Sequence, residues 1–539
     1  MGRELGRPAR TAGAVEIPYL LAGALAAIAL CAIVAKRFEL PYPIVFVLAG
    51  SAIAFIPRVP AIAIDPQYIF LIVLPPLLWN GGWGTDWRLL QANLRPVLLL
   101  AIGLVFATTL AVAWTAHALG FGWAPAFVLG AIVSPPDAIA ATAIFERFSI
   151  PRRIVAVLDG EGLINDGSAL VIYRFAVAAA VTGTFSPSYA AFSMVVVAAG
   201  GVVVGLGLAF GIEALARALA RLNLADSLID NLVFLLAPYA AYLSAEALGV
   251  SGVLATVAGG IYVSRRSAVI YGPQTRLIGA AVWNLLIYLL NGFVFLAIGL
   301  QLRSFVRDPG FFVKEIGVGL VVSLVAILAR IVWVFPATYV PRWTSRALQR
   351  RDPVPSWRYV AVIAWTGLRG IVSLAAALAL PLRDAAGQPF PQRSAIVFVA
   401  FCVIVVTLVF QGLSLIPLLH WLHIDADEDI GQREIDVRVK ALRAGLKRLA
   451  EIETGEHRPA EWEVIGRIKS EYEHRIDHLQ SHLPGERESD DSLFDHRLQD
   501  EALRAERDAI MELRDGGKIP DEIFRRIEYD LDLAETRLR

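Results

Sequence analysis

Apolar runs long enough to cross a hydrocarbon layer recur as far as residue 420, and no other feature constrains the fold as much. A bilayer core of about 30 Å needs roughly 20 residues of helix. About thirteen such runs are legible, at 15–35, 41–56, 67–82, 96–119, 123–145, 153–181, 189–216, 229–248, 250–263, 276–301, 313–340, 358–381 and 394–420. The second, third and ninth are short and read equally as half-spans. One such run would suit a buried helix of a soluble domain, but no soluble core needs this many in series. The chain therefore reads as an all-α polytopic membrane protein.

Composition agrees. Of 539 residues, 56% are hydrophobic and 18% charged, with mean hydropathy +0.59. Soluble globular chains carry about 25% charged residues, so a disordered chain or an ordinary cytosolic enzyme is excluded. The formal net charge of zero is an average over two different objects. Residues 1–420 hold 29 Lys/Arg against 18 Asp/Glu, whereas residues 421–539 hold 20 against 31. Three segments follow: an N-terminal stretch 1–14, a membrane domain 15–420, and an acidic helical domain 421–539.

Loop charge sets orientation, because Lys and Arg concentrate on the cytoplasmic side. With thirteen spans and the tail inside, the cytoplasmic loops hold 17 Lys/Arg, from Lys36 and Arg37 through Arg147 to Arg358. The opposite loops hold six: Arg58, Arg303, Arg307, Lys314, Arg383 and Arg393. Arg3, Arg7 and Arg10 are then external, against the trend. A cleaved signal peptide is the rival reading of residues 1–35, and Lys36-Arg37 directly after the run favours a retained span. The expected location is the cell (inner) membrane, with the N-terminus outside and the tail cytoplasmic.

The tail is broken by Pro459, Pro484, Gly485, Gly516, Gly517 and Pro520. Between the breaks, Ile435, Val439, Leu442, Leu446 and Leu449 recur at helical spacing among alternating charges. Short amphipathic helices packing on each other or on a partner are one reading, and a solvated tail is the other. The negative balance argues against nucleic acid or anionic lipid as the tail's ligand, and leaves attraction to the Arg-rich loop 342–358 as a regulatory expectation. Cys31 and Cys402 both lie in apolar runs, so no disulfide framework or metal site is expected. No phosphate-binding glycine loop, dinucleotide fingerprint or His/Cys cluster is present. Neither an enzyme nor a cofactor is expected.

Ionisable groups inside apolar runs are costly and therefore functional candidates. Three clusters qualify. In Ser134-Pro135-Pro136-Asp137-Ala138, two prolines remove two backbone donors, so a straight helix is not expected. The freed carbonyls must face a partner, water or an ion, and Asp137 follows where a half-helix N-terminus favours its charge. Asp159-Gly160-Glu161-Gly162-Leu163-Ile164-Asn165-Asp166-Gly167-Ser168 puts three carboxylates in one run. At 1.5 Å per residue, Asp166 lies roughly 20 Å in from Arg153. Such an oxygen-rich pocket suits a hard cation such as Na⁺, with Ser134 and Asp159 as further donors. In Gly367-Leu368-Arg369-Gly370-Ile371-Val372-Ser373, buried Arg369 needs a carboxylate partner, for which Glu161 is the natural candidate. Ser373 adds a hydroxyl, and the two glycines give a second helix break. Both breaks fall fifth in a set of six spans, which suggests two six-span repeats around a connector, the pattern of a transporter. Asn80 is a further polar group or the end of a short helix. Arg174 pairs locally or snorkels, Glu246 and Arg330 have no evident partner, and Trp79, Trp83 and Trp87 fit an interfacial belt.

These three motifs, in this order, resemble the sodium–proton exchanger branch of the monovalent cation/proton antiporters, the NhaP-like bacterial proteins. The resemblance spans roughly 15–420. It implies two inverted six-helix repeats with crossed discontinuous helices, and a homodimer formed by the remaining spans. It also implies an ion-binding aspartate at Asp166 beside Asn165, a broken-helix aspartate at Asp137 with the Pro136 carbonyl, and a buried Glu161–Arg369 pair. Two positions depart from the pattern: Gly162 stands where many members carry a serine, and Asn80 where archaeal members carry a glutamate. The implied activity is electroneutral exchange of Na⁺ (or Li⁺ or K⁺) for H⁺, with the cation or proton binding at Asp166. A K⁺/H⁺ antiporter or other monovalent-cation transporter of the same fold, a channel, and a membrane sensor are the alternatives.

Overall fold

A computed structural model describes residues 12–56, 69–145, 150–183, 187–224, 226–305, 309–424, 429–454, 459–481, 490–515, 523, 527–528 and 531. Arg3, Arg7, Arg10, Arg58, Arg147 and Arg307, and the tail breaks Pro484, Gly485, Gly516, Gly517 and Pro520, lie outside the described residues. The chain divides into two units, Met1–Ala426 and Asp427–Arg539.

Unit 1 is built from helices. α1 is Ala12–Arg37 and α2 Tyr42–Ala54. α3 covers 69–84 and opens with a π-turn, and α4 is Trp87–Ala92. α5 follows as Leu94–Ala118. The next apolar run is split into α6, Trp123–Val133, and α7, Ala138–Phe145. Five long helices come next: α8 Arg152–Thr182, α9 Pro187–Arg221, α10 Ser227–Ala247, α11 Gly252–Ile270 and α12 Pro273–Leu300. α13 is Pro309–Thr344. A second split run gives α14, Trp357–Trp365, and α15, Ile371–Leu378. α16, Arg393–Leu422, closes the unit. Among the described residues, eight helices are long and apolar enough to cross a membrane, and α2 and α6 are shorter apolar helices.

The exposed surface of these helices is itself apolar, with Leu30, Phe106, Trp114, Val203, Leu228, Leu285 and Val332 all solvent-facing in the isolated chain. A water-soluble fold hides such side chains; a lipid-facing one does not. Inside, one apolar cluster joins Phe46 of α2, Phe295 of α12 and Leu374 of α15. A second joins Val112 of α5, Leu129 of α6, Val322 of α13 and Val399 of α16. These two clusters fix the halves of both broken helices from either side.

One π-turn ties three helices together. The turn at Leu99–Leu104 frees carbonyls from the i→i−4 ladder. The Leu99 carbonyl accepts from Trp333 Nε1 at 3.0 Å, and the Ala101 carbonyl from Ser168 Oγ at 2.5 Å. α5 is thereby tied to α13 and α8 by bonds that no periodicity shows.

In unit 2, α17 (Asp429–Glu453) and α18 (Pro459–Ser481) pack on one another, and α19 spans Asp490–Asp515. Ile435, Val439, Leu442, Leu446 and Leu449 form the buried to half-buried face of α17, while most of its charged neighbours are exposed. Lys469 Nζ donates to Glu453 at 2.6 Å across the pair.

Candidate functional site

The two helix breaks meet. Residues 134–137 and 366–370 are non-helical, and the Asp137 N–H donates to the Leu368 carbonyl at 2.6 Å. Each break exposes a helix N-terminus, with unsatisfied N–H groups, and a C-terminus, with unsatisfied carbonyls. Asp137 stands immediately before α7, and its Oδ2 accepts from Ile371 N at 3.4 Å, at the start of α15. Its negative charge thus lies at two positive helix ends. Arg369 serves the opposite ends: Nε donates to the Val133 carbonyl at 3.0 Å and Nη1 to the Gly367 carbonyl. Its own N–H donates to Thr407 Oγ1 at 3.1 Å, in the third π-turn.

Glu161 is paired differently from the expectation. Its Oε1 and Oε2 accept from Arg330 Nη1 and Nη2 at 2.5 and 2.8 Å, a bidentate pair with both side chains 1% exposed. Arg330 Nε donates further to the Ile363 carbonyl at 3.1 Å. The Glu161–Arg369 pair inferred from sequence is therefore corrected. The planar fork of Arg330 takes both carboxylate oxygens, while that of Arg369 is committed to backbone carbonyls. Arg330, which had no evident partner in sequence, was the missed residue; a charge in the middle of an apolar run was the available signal.

Asn165 is fully buried and anchors the first break, its Nδ2 donating to the Pro136 carbonyl at 2.9 Å. Its Oδ1 has no partner among the described residues, and neither does the buried Ser373 Oγ. Asp166, one residue on, lies on a cavity of about 580 Å³ that is also lined by Asp137, Asp159, Pro136, Ser373 and Asn80. Asp166 is within electrostatic range of Asp137. Asp159 accepts from Thr142 Oγ1 at 3.2 Å, and Asn80 Oδ1 from Trp283 Nε1 at 2.8 Å. Ser134 is turned to the Ala131 carbonyl at 3.0 Å and does not line the cavity. Sequence reasoning missed Asn284 and Asn291, which line the same cavity from α12. The Asn291 Oδ1 is buried without a partner among the described residues.

Gly162 also has a structural cause. A Cβ there would stand 2.5 Å from the Ala138 Cβ, so α8 and the start of α7 touch at a point where serine does not fit without movement. Elsewhere, Arg174 Nη2 pairs with Glu246 at 2.9 Å, supplying the partner that Glu246 lacked in sequence. Chemically, the centre is one cavity that holds carboxylates and amide oxygens between two broken helices whose ends are neutralised by Asp137 and Arg369.

Residues 24–421 match the family described as sodium/hydrogen exchanger, transmembrane. The chain belongs to that family. It is therefore a multi-pass membrane protein of the monovalent cation/proton antiporters, as the three motifs implied, and the members of this family are transporters. An uncharacterized Na⁺/H⁺ exchanger of Mycobacterium tuberculosis is 32% identical over 99% of this chain and 98% of its own. A sodium, potassium, lithium and rubidium/H⁺ antiporter of Bacillus subtilis is 32% identical over 93% of this chain and 77% of its own. The sodium proton antiporter MjNhaP1 of Methanocaldococcus jannaschii shares the fold, with a TM-score of 0.56 and 21% identity, over 76% of this chain and 99% of that one.

Proposed function

We propose that this exchanger carries Na⁺ against H⁺ across the cell membrane, one for one and without net charge movement, by alternating access at Asp166. The supporting observation is Asp166 on a 580 Å³ cavity at the crossing of two broken helices. A bare carboxylate is costly to carry through an apolar barrier. Either a proton or a cation neutralises it, so the two ligands compete and only the loaded site crosses. Asn165 beside it brings no second charge. With Asp137 as a fixed charge at the helix ends that it caps, one exchangeable charge is left per cycle. Asn165 Oδ1, the Pro136 carbonyl and Asp137 are the remaining cation ligands in this reading.

The architecture that suits this cycle has thirteen spans in two inverted six-helix repeats, with the broken helices rocking against a dimerising bundle. It places the N-terminus outside and the tail in the cytoplasm, in a homodimer. A broader cation range is the second reading, K⁺/H⁺ exchange included. The Bacillus subtilis relative, named for four cations, favours it.

Everted vesicles loaded with a pH-sensitive dye test the proposal. Addition of Na⁺ should collapse the imposed proton gradient in the wild type and not in Asp166→Asn, at matched protein levels. Exchange retained by Asp166→Asn sinks the assignment of that residue. Li⁺ and K⁺ run in the same assay across pH rank the cations.

A further inference from the structure

Three arginines stand at the ends of three apolar helices: Arg95 in the first turn of α5, Arg153 in the first turn of α8, and Arg342 in the last turn of α13. One carboxylate serves them. Asp352 Oδ1 accepts from Arg153, and Oδ2 from Arg342, whose side chain is 3% exposed. Arg153 Nε also donates to Asn93 Oδ1 at 3.1 Å, and Arg342 Nη1 to the Thr338 carbonyl. Arg95 lies within electrostatic range of both Arg342 and Asp352. Both of its terminal nitrogens are nevertheless buried without a hydrogen-bond partner among the described residues.

The cluster thus sets three guanidinium groups against one carboxylate, and leaves the donors at the end of one fork unmatched. A guanidinium buried in this way is destabilising unless an anion completes it. Beside it is a crevice of about 60 Å³, lined by Arg153 and Arg342 and by the apolar side chains of Leu99, Val157, Val360 and Ile363. Leu94 and Leu98, flanking Arg95 on α5, are 43% and 38% exposed. The connection after α13 adds Arg346, Arg350 and Arg358.

We propose that the Arg95–Arg153–Arg342 cluster binds the phosphate headgroup of an anionic phospholipid, with acyl chain lying along Leu94 and Leu98. Arginine forks match phosphate oxygens, and basic pockets between membrane helices hold such headgroups. The placement favours lipid over free phosphate: all three arginines stand at ends of apolar helices, where headgroups lie, and the adjoining surface is apolar. The site is distinct from the Asp166 cavity, and it does not depend on which cation is exchanged.

Thermal melting of the purified full-length protein in detergent tests the site without a transport readout. Phosphatidylglycerol should raise the midpoint, while phosphatidylcholine and inorganic phosphate should not. Arg95→Gln should melt at or above the wild type when no lipid is added, because it removes a buried guanidinium whose fork tip holds no protein group, and should lose most of the phosphatidylglycerol-dependent rise. No rise in the wild type, or an equal rise in Arg95→Gln, overturns the proposal. An equal rise with inorganic phosphate overturns the lipid assignment in favour of a soluble anion. Should Arg95→Gln not fold, Asp352→Asn decides by native mass spectrometry. Loss of that counter-charge should increase phosphatidylglycerol retention, and unchanged or reduced retention overturns the proposal.

Discussion

Removing Arg330 leaves Glu161 buried with no guanidinium hydrogen-bonded to its oxygens, because Arg369 donates from Nε and Nη1 to the Val133 and Gly367 carbonyls instead. Breaking such a pair from one side costs about 3–5 kcal/mol. Arg330→Met is therefore expected to lower sharply the temperature at which detergent-solubilised protein loses its monodisperse peak. Glu161→Gln added to Arg330→Met should restore most of the loss, since two neutral groups are then buried. Arg369→Ala should behave otherwise, melting less severely than Arg330→Met while exchange is lost, because it uncovers helix-end carbonyls at the centre. An Arg330→Met protein that melts like wild type would refute this pairing. At this scale the sequence was informative wherever a polar residue interrupts an apolar run: Asp137, Glu161, Asn165, Asp166 and Arg369 all stand out that way. It could not say which arginine faces Glu161. That choice depends on the rotation of α13 against α8, and both arginines interrupt apolar runs in the same way along the chain. Asn291 was illegible for a related reason. An asparagine in an apolar helix is unremarkable until the helix opposite brings an acidic cavity to it.

The two broken helices hold each other through a few atoms, and Gly370 is the tightest of these approaches. A Cβ at that position would overlap the Asp137 carboxylate. Overpacking of this kind costs about 1–3 kcal/mol, so Gly370→Ala should still fold but displace Asp137 from the start of α15. The expected result is exchange in everted vesicles falling at least tenfold at matched protein level, a tenfold loss being about 1.4 kcal/mol in a barrier. Exchange at the wild-type rate would mean that the carboxylate is not needed at that helix end. The first break was legible because Pro135 and Pro136 cannot donate. The second was announced only by glycines, which are as common in straight membrane helices. That the breaks touch, Asp137 N–H to Leu368 carbonyl, is a tertiary fact. The π-turns at 99–104 and 407–411 had no sequence signature either, yet the second presents Thr407 to Arg369.

The charge division of the whole chain falls close to its structural division. Unit 1 ends at Ala426, and every residue described as lining the 580 Å³ cavity lies inside it, as do both breaks and the Glu161–Arg330 pair. Unit 2 has its own apolar contacts, with Val439, Ile465 and Ile476 each under 9% exposed. Each unit thus has a core, which is the physical requirement for folding separately. A chain ending at Ala426 should accordingly insert, remain monodisperse in detergent, and keep cation-dependent proton movement in everted vesicles. Its melting midpoint should lie within a few degrees of the full chain, because no side chain of the membrane core is removed. Asp166→Asn in the shortened chain should still abolish exchange. Loss of exchange in the shortened chain with normal insertion would make the tail part of the transport cycle. The negative balance of residues 421–539 would then act on the cycle itself, and adding salt to the full chain should mimic the truncation, since mobile ions screen exposed charges beyond about 10 Å at 0.1 M.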